Sequence, residues 1–210
     1  VLALDAGNTK SYPGSGTAWT DTVGGNTGTL TSMDGNNYNS ANGGYLDFDG
    51  TADYVDVSGS ITVSAATFLA WVRKDGEQEW SGVIFSRGTT TSGMNFRGAS
   101  ENIGYHWNSD QNTYNWDSGL TVPTQEWCMM VVTVTSSVAT AYLCRSSGIT
   151  SSTNSISHSS VILDSIEIGR DSYSNSRCFD GRISMAMIYN KALTAAEVQQ
   201  NYNALKGRYV

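Results

Sequence analysis

The feature that most limits what this chain can fold into is a two-residue rhythm that begins at Tyr45. In Tyr45-Leu46-Asp47-Phe48-Asp49-Gly50, and again in Tyr54-Val55-Asp56-Val57, apolar and polar side chains alternate. Successive side chains on a strand point to opposite faces, so this rhythm predicts half-buried strands with one face on a core. Leu46, Phe48, Tyr54 (or Val55) and Val57 are the candidate core contacts. Further strand-like runs follow at Ala66 to Arg73, Gly82 to Arg87, Gly93 to Arg97, Asn102 to Asn108, Trp127 to Thr135, Thr140 to Arg145, Ser165 to Gly169 and Gly181 to Tyr189, with turn residues in each gap. Starts spaced by roughly ten to twenty-odd positions predict an all-β antiparallel sandwich rather than a βαβ succession.

The remaining segments fit around such a sandwich. Val1 to Asp5 is a short apolar run, and residues 7 to 44 are mostly Gly, Ser, Thr, Asn and isolated aromatics, which predicts long loops around a few brief edge strands. Ser146 to Ser160 reads as a solvated loop or a poorly packed edge hairpin. One short C-terminal α-helix is signalled by Thr194-Ala195-Ala196-Glu197, a capping box, followed by the apolar stripe Val198, Tyr202 and Leu205, with Gly207 where the helix should stop. That helix must lie on the sandwich.

At 210 residues, with no internal repeat and no Pro-rich linker, the chain reads as one domain over residues 1 to 210. The 22 Gly, 2 Pro and 15% charged residues favour short strands joined by many turns. A formal net charge of -7 repels phosphate backbones and anionic lipid surfaces, so neither nucleic acid nor a membrane is an expected partner. No apolar run approaches the roughly 20 residues of a membrane-spanning helix, and no basic-then-apolar leader opens the sequence at Val1. Cys128, Cys144 and Cys178 fit neither zinc-site nor CxxC spacing; Cys128 and Cys144 fall near facing ends of one hairpin, either as buried free thiols or as a bridge.

Several segments, in order, resemble the laminin G-like branch of the concanavalin A-like superfamily. They are Leu46-Asp47-Phe48-Asp49-Gly50 with Asp53-Tyr54-Val55; Trp71-Val72 with Trp127 and Val131-Val132; Ile168-Gly169-Arg170-Asp171; Phe179-Asp180-Gly181-Arg182-Ile183; and Ile188-Tyr189-Asn190-Lys191-Ala192-Leu193-Thr194 with Glu197-Val198 and Asn201-Tyr202. The opening Leu4 to Asn8, Ser11 to Gly16 and Trp19 to Asp21 is similar to the start of such domains in bacteriophage structural proteins and bacterial surface proteins. The resemblance implies a concanavalin A-like jelly roll. It also implies a structural Ca²⁺, for which Asp5 and Asp180 are the candidate ligands if their strands pair as the family's do.

A fold of this kind hosts lectins, receptor modules, glycosidases and lyases, so function has to come from the site. Sugar recognition needs flat aromatic faces beside amide, carboxylate or guanidinium groups. The block from Ile103 to Asp117 offers both: Tyr105, Trp107 and Trp116 as stacking rings, with Asn108, Asp110, Asn115 and Arg97 as polar contacts, and Trp80 as a further exposed aromatic. On a strand, Tyr105 and Trp107 share one face and His106 takes the other, so the pair either lines a platform or fills the core. Arg87 and Arg97 close successive strands, where they either reach an acidic glycan or pair with surface carboxylates.

Catalysis has weaker support. Glu77 and Glu79 stand two apart, as a carboxylate pair about 5 to 5.5 Å apart would require, but Lys74, Gly76 and Gln78 leave that segment without a buried face and it reads as a hairpin loop. Tyr105, His106 and Arg97 have chemistry suited to a lyase, without the motifs of alginate-lyase relatives. His106 and His158 have no partners at zinc-ligand spacing. The expectation is therefore a non-catalytic, lectin-like adhesion module of a phage virion or bacterial surface protein, extracellular or on the virion, taking a glycan as partner. The alternatives are a purely structural domain in a homo-oligomer or larger assembly, or a polysaccharide-degrading glycosidase or lyase.

Overall fold

The computed structural model describes residues 1 to 209. In chain order the strands are β1 (Leu2–Asp5), β2 (Ala18–Trp19), β3 (Gly28–Thr31), β4 (Tyr38–Asn39), β5 (Tyr45–Asp49), β6 (Tyr54–Val63), β7 (Ala66–Lys74), β8 (Gly82–Arg87), β9 (Thr91–Arg97) and β10 (Asn102–His106). After the short helix α1 (Gln111–Tyr114) come β11 (Cys128–Val134), β12 (Ala139–Arg145), β13 (Gly148–Asn154), β14 (Val161–Ile168), β15 (Asp180–Tyr189) and helix α2 (Ala195–Leu205). They form two antiparallel sheets. The first runs β13-β12-β11-β7-β15-β5-β4, with β1 continuing the edge of β15 beyond β5; the second runs β10-β9-β8-β14-β6-β3-β2. Among the described residues, no helix is long and apolar enough to cross a membrane.

The core between the sheets is built from the alternating residues. Leu46, Phe48, Val55 and Val57 are all buried, whereas Tyr54 faces outward beneath the Arg170 guanidinium, 3.3 Å from its ring centroid. Fully burying each such aliphatic or aromatic side chain contributes about 1.5 to 3 kcal/mol. Two strands of the first sheet, β7 and β11, are buried on both faces, which is why their sequences are continuous apolar runs. Their outer face is covered by α2 and the turn after it: Trp71 stacks with Tyr202 and with Tyr209, with ring centroids 5.6 and 4.2 Å away. Both halves of the Thr194–Glu197 capping box form. Gly207 does not end the helix; α2 runs from Leu205 into a 3₁₀ turn over Lys206–Arg208 that contains it.

The hairpin β11–β12 sends Cys128 to the inter-sheet core and Cys144 to the opposite face under α2, so the two thiols are free and no bridge can join them. The segment 146 to 160 contains β13, which pairs with β12 as the edge of the first sheet. Strand β14 begins at Val161, earlier than its sequence suggests, and is bent by a bulge at Ser165, whose φ is 51°.

Candidate functional site

In the second sheet, β8, β9 and β10 are buried on both faces for most of their length, although the long helix α2 lies on the other sheet. Three loops cover them instead: residues 75 to 81, 107 to 118 and 171 to 178. Between these loops lies a cleft of about 410 Å³, lined by Trp80, Arg87, Thr91, His106, Ser109, Tyr114, Asn115, Tyr173 and Arg177. Its size is in the range of small-ligand sites.

The floor follows from strand register. Phe85, Gly93 and His106 are directly paired across β8, β9 and β10. A Cβ at Gly93 would lie 2.4 Å from the Ile84 carbonyl oxygen and 2.7 Å from Phe85 Cα, and the residue's φ is 148°, so only glycine fits. With no side chain between them, the Phe85 and His106 rings meet edge-on. Tyr114, delivered by α1, stacks on His106 at 5.2 Å and 28°. Helix α1 itself was not legible as a helix: Asp110 caps it by accepting from the Asn112 amide.

The walls carry charge. Asp171, fully buried, accepts from Arg87 Nε and Nη2 at 2.5 and 2.9 Å and from Arg177 Nη1 at 2.8 Å. Burial pushes its pKa up, but the Arg87 hydrogen bonds and charge, the Tyr173 amide and Arg177 more than offset this and hold it below the usual carboxylate range. Arg177 in turn lies over the rings of Trp80 (5.3 Å) and Tyr173 (4.4 Å), and Arg87 over those of Phe85 (5.4 Å) and Tyr173 (5.0 Å). His106 is only 6% exposed, and its Nε2 has no hydrogen-bond partner among the described residues. Burial, partly opposed by Asp171 and reinforced by Arg87 and Arg177, lowers its pKa to about 4, so the imidazole is neutral. A second cleft, lined by Glu77, Glu79, Trp80, Tyr173, Ser174, Ser176 and Arg177, adjoins the first across the Trp80–Tyr173–Arg177 ridge.

Of the residues the sequence singles out, Trp80, Arg87, His106 and Asn115 line the cleft. Tyr105 and Trp107 do not; they face the opposite way, into the inter-sheet core, at 0% and 1% exposure. The physical reason is the alternation itself, which puts His106 outside when its neighbours are inside. Tyr105 hydroxyl meets His158 Nε2 at 2.9 Å and accepts from Asn154, and Trp107 Nε1 donates to the Ser159 carbonyl at 2.6 Å, so both rings are pinned. Trp116 is half-buried against Tyr105 rather than free in a loop. Arg97 braces the 107 to 118 loop, donating to the Asn115 carbonyl at 3.1 Å and pairing with Asp117. Asn108 is exposed but ties its loop to Ser92 and Ser159, and Asp110 serves as the α1 cap. Tyr173 and Arg177, four and eight residues beyond the Gly169 of the Ile-Gly-Arg-Asp motif, were the residues sequence reasoning missed; Asp171 in that motif was the available signal.

The two candidate calcium ligands do not converge. Asp5 pairs with Met185, five positions along β15 from Asp180 and so about 17 Å away at strand rise. Both Asp5 oxygens accept from Arg208, at 2.9 and 3.0 Å. Burial first, then the charges of Asp75, Asp47 and Asp49, raises the pKa of Asp180. The pair therefore does not make one cation site. Glu77 and Glu79 are exposed on the β7–β8 loop, as the sequence predicts, but the segment does have a buried side: Lys74 pairs with Glu101, and Gln78, at 0% exposure, donates to the Asp180 carbonyl.

Comparison with known proteins agrees with this architecture. Domain 4 of AbnA, a GH43 extracellular arabinanase from Geobacillus stearothermophilus, solved in complex with arabinotriose, superposes with a TM-score of 0.69 at 17% identity, covering 95% of this chain and 96% of that one. The botulinum neurotoxin serotype G binding domain gives 0.65 at 13% identity, covering 97% of this chain and 50% of that chain. Trypanosoma rangeli sialidase, in a mutant displaying trans-sialidase activity, gives 0.64 at 13% identity; all of this chain corresponds to 33% of the sialidase. At these identities the likeness concerns the fold. No curated protein sequence matches the chain. The laminin G-type family model of the concanavalin A-like lectin/glucanases matches residues 49 to 199, and with the two-sheet sandwich, its register and its helix-capped back already described, the chain belongs to the concanavalin A-like lectin/glucanase superfamily.

Proposed function

We propose that this chain is a non-catalytic glycan-binding module and that the cleft on the outer face of β8–β10 is where the sugar sits. The observation that carries the reading is the composition of that cleft. The rings of Trp80, Tyr114 and Tyr173 stand beside guanidinium, hydroxyl and amide groups, and a buried imidazole nitrogen is left without a partner. Aromatic faces accept the apolar side of a sugar ring while polar groups select its hydroxyls. An unpaired buried nitrogen costs about 1 to 3 kcal/mol, a deficit that a ligand hydroxyl would relieve.

A solved neighbour supports the choice of ligand class: the arabinanase domain, covered along nearly its whole length, was solved in complex with arabinotriose, while the sialidase solved in complex with sialic acid is matched over 33% of its chain. The setting we propose is adhesion outside the cell, on a phage virion or a bacterial surface, in keeping with the opening motifs at Leu4 to Asp21. A printed glycan array probed with the wild-type protein and with Tyr173→Ala tests the reading. The expected result is at least one glycan class retained by the wild type and lost by the variant. An array on which nothing is retained, or on which the variant retains everything, overturns it.

A further inference from the structure

Resting on that reading, we infer that the cleft selects a glycan carrying an isolated acidic sugar, whose oxyanion docks against Arg177 and Arg87. Two guanidinium groups line the cleft against one carboxylate, the fully buried Asp171 with which both pair, and among the described residues no acidic side chain is in the lining itself. Glu77 and Glu79 face the neighbouring cleft across the Trp80–Tyr173–Arg177 ridge. The site thus keeps one uncompensated positive charge in a chain whose formal net charge is -7. A charge walled by aromatic rings is screened less than one on an open surface and acts at short range.

The donors fit an oxyanion. Each guanidinium carries five N–H groups in a planar fork. Arg87 gives Nε and Nη2 to Asp171 and Arg177 gives Nη1, and neither has a further hydrogen-bond partner among the described residues. The guanidinium carbons lie over aromatic rings, Arg87 over Phe85 and Tyr173 and Arg177 over Trp80 and Tyr173. The N–H groups that Asp171 does not take up remain as donors, and paired N–H bonds are how a guanidinium grips a carboxylate or sulfate. His106 Nε2 adds a buried partner for a hydroxyl on the same sugar. The whole-chain charge works against a densely charged polyanion, so one acidic unit among neutral ones is the better fit.

The test uses an array of matched pairs: sialylated, glucuronylated and sulfated oligosaccharides, each beside its uncharged parent. The acidic members should be preferred, and the pair with the greatest contrast is then titrated calorimetrically against wild type, Arg177→Gln and Asn115→Asp. Asn115 is exposed and makes no side-chain hydrogen bond among the described residues, so its isosteric acid adds a negative charge to the lining without touching the fold. A preference of about tenfold or more in the wild type should shrink to within about threefold in both variants, as expected when one charge-assisted contact is lost or cancelled. The sulfated and carboxylated arms decide which oxyanion is read. Equal binding of acidic and neutral members, lost in Tyr173→Ala, overturns the acidic preference and leaves glycan binding intact. An acidic preference that survives both variants places the recognition elsewhere and also overturns it, and no retention of any member overturns both readings.

Discussion

The imidazole of His106 stands edge-on to the Phe85 ring, centroids 4.9 Å apart and planes at 80°, because the residue between them in register is Gly93. Two side chains from strands that are not neighbours therefore build one floor. Replacing Gly93 with alanine drives a Cβ into the backbone of Ile84 and Phe85 at a φ that other residues avoid. Gly93→Ala should lower stability by more than about 2 kcal/mol, seen as an earlier urea midpoint with unchanged slope. A neutral effect would mean that the floor is not built this way.

His106 also predicts a pH dependence. In the unfolded chain it takes up a proton near 6.5, in the folded chain only near 4. Between those values the unfolded state binds more protons, so His106 contributes a stability loss of up to about 3 kcal/mol as pH falls from about 6.5 to about 4. His106→Phe keeps a ring against Tyr114 and Phe85 and should lose less stability over that window. Parallel denaturation curves for variant and wild type at pH 7 and pH 4.5 are the check, and identical pH slopes would contradict it.

Asp53 carries the opposite sign. It is 4% exposed, and burial first, then the charge of Asp49, raises its pKa from 3.8 to about 6 although Asn37 donates to it at 2.8 Å. The folded state binds more protons between about 4 and 6, so stability falls as pH rises through that window and the full cost is present above it. Asp53→Asn should raise stability at pH 7.5 by on the order of 2 kcal/mol and leave it nearly unchanged at pH 3.5. Thermal melts at the two pH values measure this.

Trp107 and Trp80 should separate core from cleft. Trp107→Ala empties a fully buried site and abandons the hydrogen bond to Ser159, and it should destabilise the protein by about 3 to 5 kcal/mol. Trp80→Ala should leave the thermal midpoint within a few degrees and weaken glycan binding by about 1 to 3 kcal/mol. Calorimetric melts and titrations of both variants would reveal a reversal, which would put the ligand on the other side of the sheet.

Much of the architecture was legible because burial leaves a periodic trace. The alternation at Tyr45 to Val57 located β5 and β6, the run at Trp127 to Thr135 located β11, and Thr194 with Glu197 located α2. Local hydrogen bonding and side-chain direction decide such features, and both are written in neighbouring residues. The short helix α1 left no such trace, since four residues held by one Asp cap carry no period.

The site was legible only in part, for a physical reason. Alternation says that Tyr105 and His106 lie on opposite faces of β10, and it is silent on which face is the core. Only the packing of the two sheets decides that: α2 covers the back of the first sheet, and Tyr105 and Trp107 fill the space between the two. What then reaches the open face is set by loops distant in sequence, which bring Asp171 to Arg87 across 84 positions and set Tyr173 and Arg177 beside Trp80. Strand content, the C-terminal helix and the family belonged to the sequence alone; the cleft came from long-range contacts between segments that carry no pattern of their own.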